Sequence, residues 1–135
     1  MDQRTLVVSC VEYYSDLQAI PSDKVFAAFE KAGFIDMFLE TQKMFPEMGI
    51  DFYIGMVDGL THLESDSSVG ENTHHEERSA LAAEVVAMLM KKHKMNDLEA
   101  CQTYYHSKTA ASVSNEKTGF YKKAAKEIFD LIEAE

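Results

Sequence analysis

The sequence runs to 135 residues and 15.2 kDa, 46% hydrophobic and 27% charged with 6 Gly and 2 Pro. That is the make-up of one globular domain or two very small ones, and it excludes a collagenous, low-complexity or wholly disordered chain. Thirteen Lys and Arg against 23 Asp and Glu leave a net charge of −10, a field that opposes a nucleic-acid backbone unless a local basic stripe overcomes it.

Apolar spacing predicts helix nearly throughout. Leu6, Val7, Cys10, Val11, Tyr14 and Leu17 fall on one helical face, although Thr5-Leu6-Val7-Val8 is also β-prone. Ile20-Pro21-Ser22 interrupts this pattern, and Ser22 is placed to cap a second helix carrying Val25, Phe26 and Phe29, which Gly33 stops. A third helix holds Ile35, Phe38 and Leu39 and ends near Pro46. Ile50, Tyr53, Ile54, Val57 and Leu60 form a fourth stripe, with Asp51 and Asp58 on its opposite face. Residues 65–73, Ser-Asp-Ser-Ser-Val-Gly-Glu-Asn-Thr, have linker composition. A helix from about Glu76 shows Leu81, Val85, Met88 and Leu89, and closes on Lys91, Lys92, His93 and Lys94 at the negative carbonyl end. Asn96 with Glu99 is a capping-box variant opening a helix through Tyr105. After a polar stretch from Ser107 to Gly119, a last helix from about Phe120 to Ala134 has Tyr121, Ala124, Ala125, Ile128, Leu131 and Ile132 as its inner face.

The fold expected is all-α: two short helical bundles joined by a polar linker, or the same helices sharing one core. An acidic helical subdomain spans 1–64, the linker 65–75 and a second helical subdomain 76–135. The charge supports the division, since residues 1–66 hold 4 basic and 12 acidic side chains and residues 67–135 hold 9 and 11. The caps at Ser22-Asp23 and Asn96-Asp97 give the two halves a faint echo.

Two stretches carry a family resemblance. The segment from Leu6 to Leu60, with Cys10-Val11-Glu12-Tyr13-Tyr14, then Ser22 to Gly33 and Phe34-Ile35-Asp36, resembles a family of small helical bacterial proteins of unknown function. These are often encoded near toxin-like genes, so the resemblance implies an antitoxin-like or adaptor-like role. Met44-Phe45 stands where that pattern has a Leu-His pair. The segment from Leu98 to Glu135 is similar to a second uncharacterised module, through Tyr104 to Thr109 and the Thr118 to Tyr121 entry to the last helix.

Reactive chemistry has little footing in the sequence. His74-His75-Glu76-Glu77 offers metal donors, but adjacent His residues do not share a helical face, and a polar lead-in to a helix whose acidic first turn suits the positive dipole end is the better reading. His106 and Lys108, within Tyr104 to Thr109, could hold a phosphate, yet no glycine lies between Gly70 and Gly119 to let backbone amides converge on one. Cys10 and Cys101 have neither metal nor disulfide spacing, and are expected as buried thiols of a reducing, cytoplasmic compartment. Met1-Asp2-Gln3-Arg4 lacks the layout of a secretory signal, and no apolar run reaches the roughly 20 residues of a membrane span. No catalytic residue, cofactor or metal is therefore assigned.

What remains is a surplus of Met and Phe in the front half. Met44, Phe45, Met48, Phe52 and Met56, rimmed by Glu40, Glu47, Asp51 and Asp58, are the expected partner-binding residues of a noncatalytic protein-binding module. The competing explanation is that the two halves bury this patch against each other. An acidic mimic of DNA phosphates, such as a phage-type inhibitor of a nuclease or defence enzyme, is the alternative function. Its carboxylates would be Glu40, Glu47, Asp51, Asp58 and Glu64. A protein is the expected partner, without direct nucleic-acid or membrane contact, and with room for a homo-oligomer. The lysines at 91, 92, 94, 122, 123 and 126 form the one basic patch.

Overall fold

The computed structural model describes residues 2–57 and 74–135. Among them the chain is all-α, with eight α-helices, two short 3-10 turns and no strand. In chain order these are α1 (Gln3–Gln18), α2 (Ser22–Ala32), α3 (Phe34–Met44), α4 (Ile50–Val57), α5 (His75–His93), α6 (Asp97–Tyr105), α7 (Lys108–Ser114) and α8 (Ala125–Glu133). The 3-10 turns, Glu116–Thr118 and Phe120–Lys122, stand between α7 and α8. Asp58, Leu60, His62, Glu64 and the linker residues 65–73 lie outside the described residues. No described helix is long and apolar enough to cross a membrane.

Local chemistry explains the boundaries. Asp2 caps α1 by accepting from the Thr5 amide at 3.1 Å, and the β-prone Thr5-Leu6-Val7-Val8 run is helical because Leu6, Val7 and Val8 are fully buried in the core. Packing there outweighs intrinsic propensity. Ser22 departs from the expected capping role. Pro21 precedes the first turn of α2, and the Ser22 hydroxyl turns inward to donate to Glu12 Oε1 at 2.6 Å. Gly33, at φ 79°, ends α2 and starts α3 in a left-handed conformation that glycine adopts without strain. Asn96 and Glu99 close the expected capping box on α6. The polar stretch after Ser107 is more helical than its composition suggests, because the Ser107 hydroxyl caps α7 through the Ala110 amide. The last helix begins at Ala125 rather than Phe120. Gly119 at φ 75° and extended Ala124 break the path, leaving only a 3-10 turn between them.

α1 and α5 form the central pair. α2, α3 and α4 pack on α1, while α6 and α8 pack on α5. One buried cluster includes Leu6, Val7, Phe26, Phe38 and Val57 from the front of the chain with Val85, Leu89, Tyr104 and Ile128 from the rear. Three expected inner-face residues are exposed instead. Leu17 is 54% exposed and Leu131 41%, and Ala124 is also open to solvent, while Phe129 is the buried aromatic of α8.

Candidate functional site

Phe45 and Pro46 determine where the apolar surface opens. The α3 helix stops at Met44, and Phe45, at φ −133° and ψ 68°, leaves the helical region, which the following Pro46 disfavours for the residue before it. The turn to α4 leaves residues 43–49 exposed. Met44 is 68% exposed, Phe45 47%, Met48 41% and Phe52 39%. Only two other large hydrophobics among the described residues, Leu17 and Leu131, are comparably exposed, so four of six fall within nine positions of one helix–turn–helix. Met56 is half-buried and packs on the core instead. Of the carboxylates expected at the rim, Glu40, Glu47 and Asp51 are exposed, with Glu40 held by Lys43 at 3.2 Å, and Asp58 lies outside the described residues.

The patch is anchored to the core by rings. Phe45 lies 6.3 Å from Phe52 between centroids, Phe52 5.6 Å from Tyr53, and Tyr53 5.8 Å from Phe38. Phe38 in turn meets Phe29 at 5.6 Å. Edge-to-face contacts of this kind have preferred geometry and link the exposed rings to the core.

A second constellation is wholly internal. Arg78, fully buried on α5, donates from Nε to Glu12 Oε1 at 2.8 Å, from Nη2 to Asp16 Oδ1 at 2.5 Å, and from Nη1 to Glu116 Oε2. Glu12 also accepts from the Ser22 hydroxyl at 2.6 Å and the Tyr105 hydroxyl at 2.7 Å. Burial alone would lower the Arg78 pKa, but Glu12 and Asp16 more than offset it and hold the guanidinium charged. Burial raises the Asp16 carboxyl above its ordinary value, with Arg78 opposing the shift. His74 and His75 join this network. His74 Nδ1 lies 2.8 Å from Glu116 and His75 Nδ1 3.2 Å from Asp16. No group of three metal-competent side chains occurs among the described residues. The His75 ring also lines a cavity of about 300 Å³ with Ser9, Tyr13, Ile50, Glu76 and Ser79.

The phosphate candidate is filled by the protein's own carboxylates. His106 Nε2 lies 2.8 Å from Glu30. At the start of α7, Glu135 accepts from the Lys108 and Thr109 amides at 2.7 and 3.1 Å and from the Thr109 hydroxyl at 2.6 Å. An anion thus already occupies that helix end. Both cysteines are buried, and burial pushes each thiol up to about 12, far from a reactive thiolate. The rear lysines flank a surface groove of about 450 Å³, lined by Met88, Lys91, Lys92, Lys126 and Phe129.

Arg78, Asp16 and Glu116 were not among the residues the sequence singled out for a site. The available signal was position: Arg78 shares the helical face of Leu81, Ala82 and Val85, and Glu12 that of Val8 and Ser15, all buried. A charge placed on an apolar stripe asks for a partner. No protein-family model matches the chain, nor does any curated protein or solved structure.

Proposed function

We propose that this protein is a noncatalytic binding module that docks a basic, amphipathic segment of a partner chain on the α3–α4 turn. The observation that carries the reading is the concentration of Met44, Phe45, Met48 and Phe52 at one turn, four of the six large hydrophobics that are exposed among the described residues. Contiguous exposed apolar surface of this kind marks interaction sites, and methionine adapts to irregular partner surfaces. The partner's charge follows from the rim: residues 36–51 hold Asp36, Glu40, Glu47 and Asp51 against one Lys43. Ring burial would supply most of the affinity, and the carboxylates would select basic partners and speed encounter.

The test is titration of a labelled basic amphipathic peptide, followed by anisotropy at two salt concentrations. The reading expects saturable binding, weakened at least about tenfold by Phe45→Ala or Phe52→Ala, and modest salt dependence. A steep loss of binding between about 50 and about 200 mM salt, with both aromatic variants unaffected, would instead favour the acidic phosphate mimic. Absence of binding to any basic amphipathic peptide would overturn the reading.

A further inference from the structure

The molecule carries two apolar surfaces of opposite rim charge. The first is the α3–α4 turn. The second is the groove between α5 and α8, floored by Met88 and Phe129 and flanked by Lys91, Lys92 and Lys126. Phe129 is 6% exposed, and two ammonium groups stand over its ring, Lys92 Nζ at 5.4 Å and Lys126 Nζ at 5.2 Å from the centroid. Both lysines also hold carboxylates of α8, Lys92 with Glu133 at 3.6 Å and Lys126 with Asp130 at 2.9 Å.

The two sequence regions that carry these surfaces oppose in charge. Residues 91–94 and 122–133 contain six lysines against Glu127, Asp130 and Glu133, and residues 36–51 contain four carboxylates against one lysine. Both therefore depart from neutrality by three charges, one region positive and the other negative.

One molecule cannot satisfy both surfaces by itself. α4 packs on α1, α1 on α5 and α5 on α8, so the central pair stands between them. They also sit toward opposite ends of α5. Ile50 of α4 shares a cavity with His75 at its start, while Lys91 and Lys92 belong to its last turn. At 1.5 Å per residue those ends are about 24 Å apart.

We infer that the α3–α4 turn of one copy docks in the α5–α8 groove of a second copy, giving head-to-tail association. The inference rests on the reading of the turn as a docking surface and names a second copy of this chain as an occupant. Two different patches that complement each other make a heterologous contact, which continues into rings or open chains instead of stopping at a two-fold dimer. At physiological ionic strength the Debye length is about 8 Å, so the local complementarity acts while the distant net charge of the two copies is largely screened. Each surface is small, so the association belongs to the weak, concentration-dependent class.

Sedimentation velocity of the full chain tests this at about 150 mM salt over about 5 to 500 µM protein. The wild type should gain mass with concentration, at least about 1.5-fold in weight average. A turn variant, Phe45→Lys with Met48→Lys, and a groove variant, Lys91→Glu with Lys126→Glu, should each stay monomeric alone. Mixed in equal amounts they should form a species that stops at two chains, because each supplies the surface the other lacks. If a double variant loses helical circular dichroism, Met44→Gln or Lys91→Gln takes its place, with a several-fold weaker association expected. A wild type that stays monomeric at the highest concentration overturns the inference. So does a groove variant that associates as well as the wild type, which would indicate turn-to-turn pairing. The basic peptide separates the two failures. A monomeric protein whose turn still binds it loses only self-association, whereas loss of both removes the docking surface as well.

Discussion

Arg78 and Glu12, 66 positions apart in sequence, meet at 2.8 Å inside the helical core with side chains 0% and 3% exposed. The pair is buried beyond the reach of water, and Asp16, Glu116, Ser22 and Tyr105 supply the further hydrogen bonds that such a burial demands. Removal of one partner strands the others. Arg78→Met should therefore cost about 3–5 kcal/mol of stability, measured by urea denaturation. Combined with Glu12→Gln, the loss should be smaller than the sum of the single losses, by a coupling of about 0.5–3 kcal/mol. Additivity would show that the two side chains are not energetically linked.

Tyr105 offers a finer probe of the same network. Its ring stacks on Phe26 at 4.8 Å between centroids, and Tyr105→Phe keeps that contact while deleting the donor to Glu12. The expected cost is about 1.5–3 kcal/mol, the range for a hydrogen bond to a charged group. A neutral result would mean that the Glu12 carboxylate is satisfied without the phenol.

The exposed and buried phenylalanines should separate cleanly. Phe45→Ala should leave stability within about 1.5 kcal/mol, since the residue is 47% exposed and its ring meets Phe52 at the edge of the core. Phe38→Ala, at 0% exposure, should cost about 3–5 kcal/mol. Thermal melts of the two variants check the contrast, and a large loss at Phe45 would show the turn to be part of the core.

The Asp2 cap carries a pH signature. Its hydrogen bond to Thr5 is the leading cause that lowers the native carboxyl below its ordinary 3.8. Stability from the ionised cap is thus fully present above 3.8 and is lost as the pH falls through the lower native value. Asp2→Ala should cost about 0.5–2 kcal/mol at neutral pH, and the gap from wild type should narrow in acid. A gap that widens in acid would contradict the sign.

Thiol labelling measures how tightly the core closes. With both thiols buried and pushed up to about 12, a disulfide reagent at about pH 8 should modify Cys10 and Cys101 only as fast as the fold opens. Labelling at the rate of the urea-unfolded chain would contradict that burial.

Helical class, most helix boundaries and the capping box at Asn96 were legible in the sequence because they depend on neighbours within a turn or two. The ion network was not legible, because Glu12, Arg78 and Glu116 become partners only when α1, α5 and the 3-10 turn at Glu116–Thr118 pack together. Ser22 illustrates the difference. Its spacing suited a helix cap, but a buried carboxylate from α1 offered its hydroxyl a stronger acceptor. Leu17 and Leu131 followed the helical period yet lie outward, because period alone does not say how wide a face the neighbouring helices cover. The exposed turn at Met44–Phe45 was readable from composition and Pro46. Its anchoring through Phe52, Tyr53 and Phe38 required the packed rings.

The guanidinium of Arg78 bears on any cut made between residues 58 and 73. Such a nick assigns the cation to one fragment and Glu12 with Asp16 to the other, so each piece on leaving would open a buried ionic seat to solvent. The severed halves accordingly have reason to stay clasped, and separately expressed fragments 1–60 and 70–135 should reconstitute by complementation more readily than either stays folded alone.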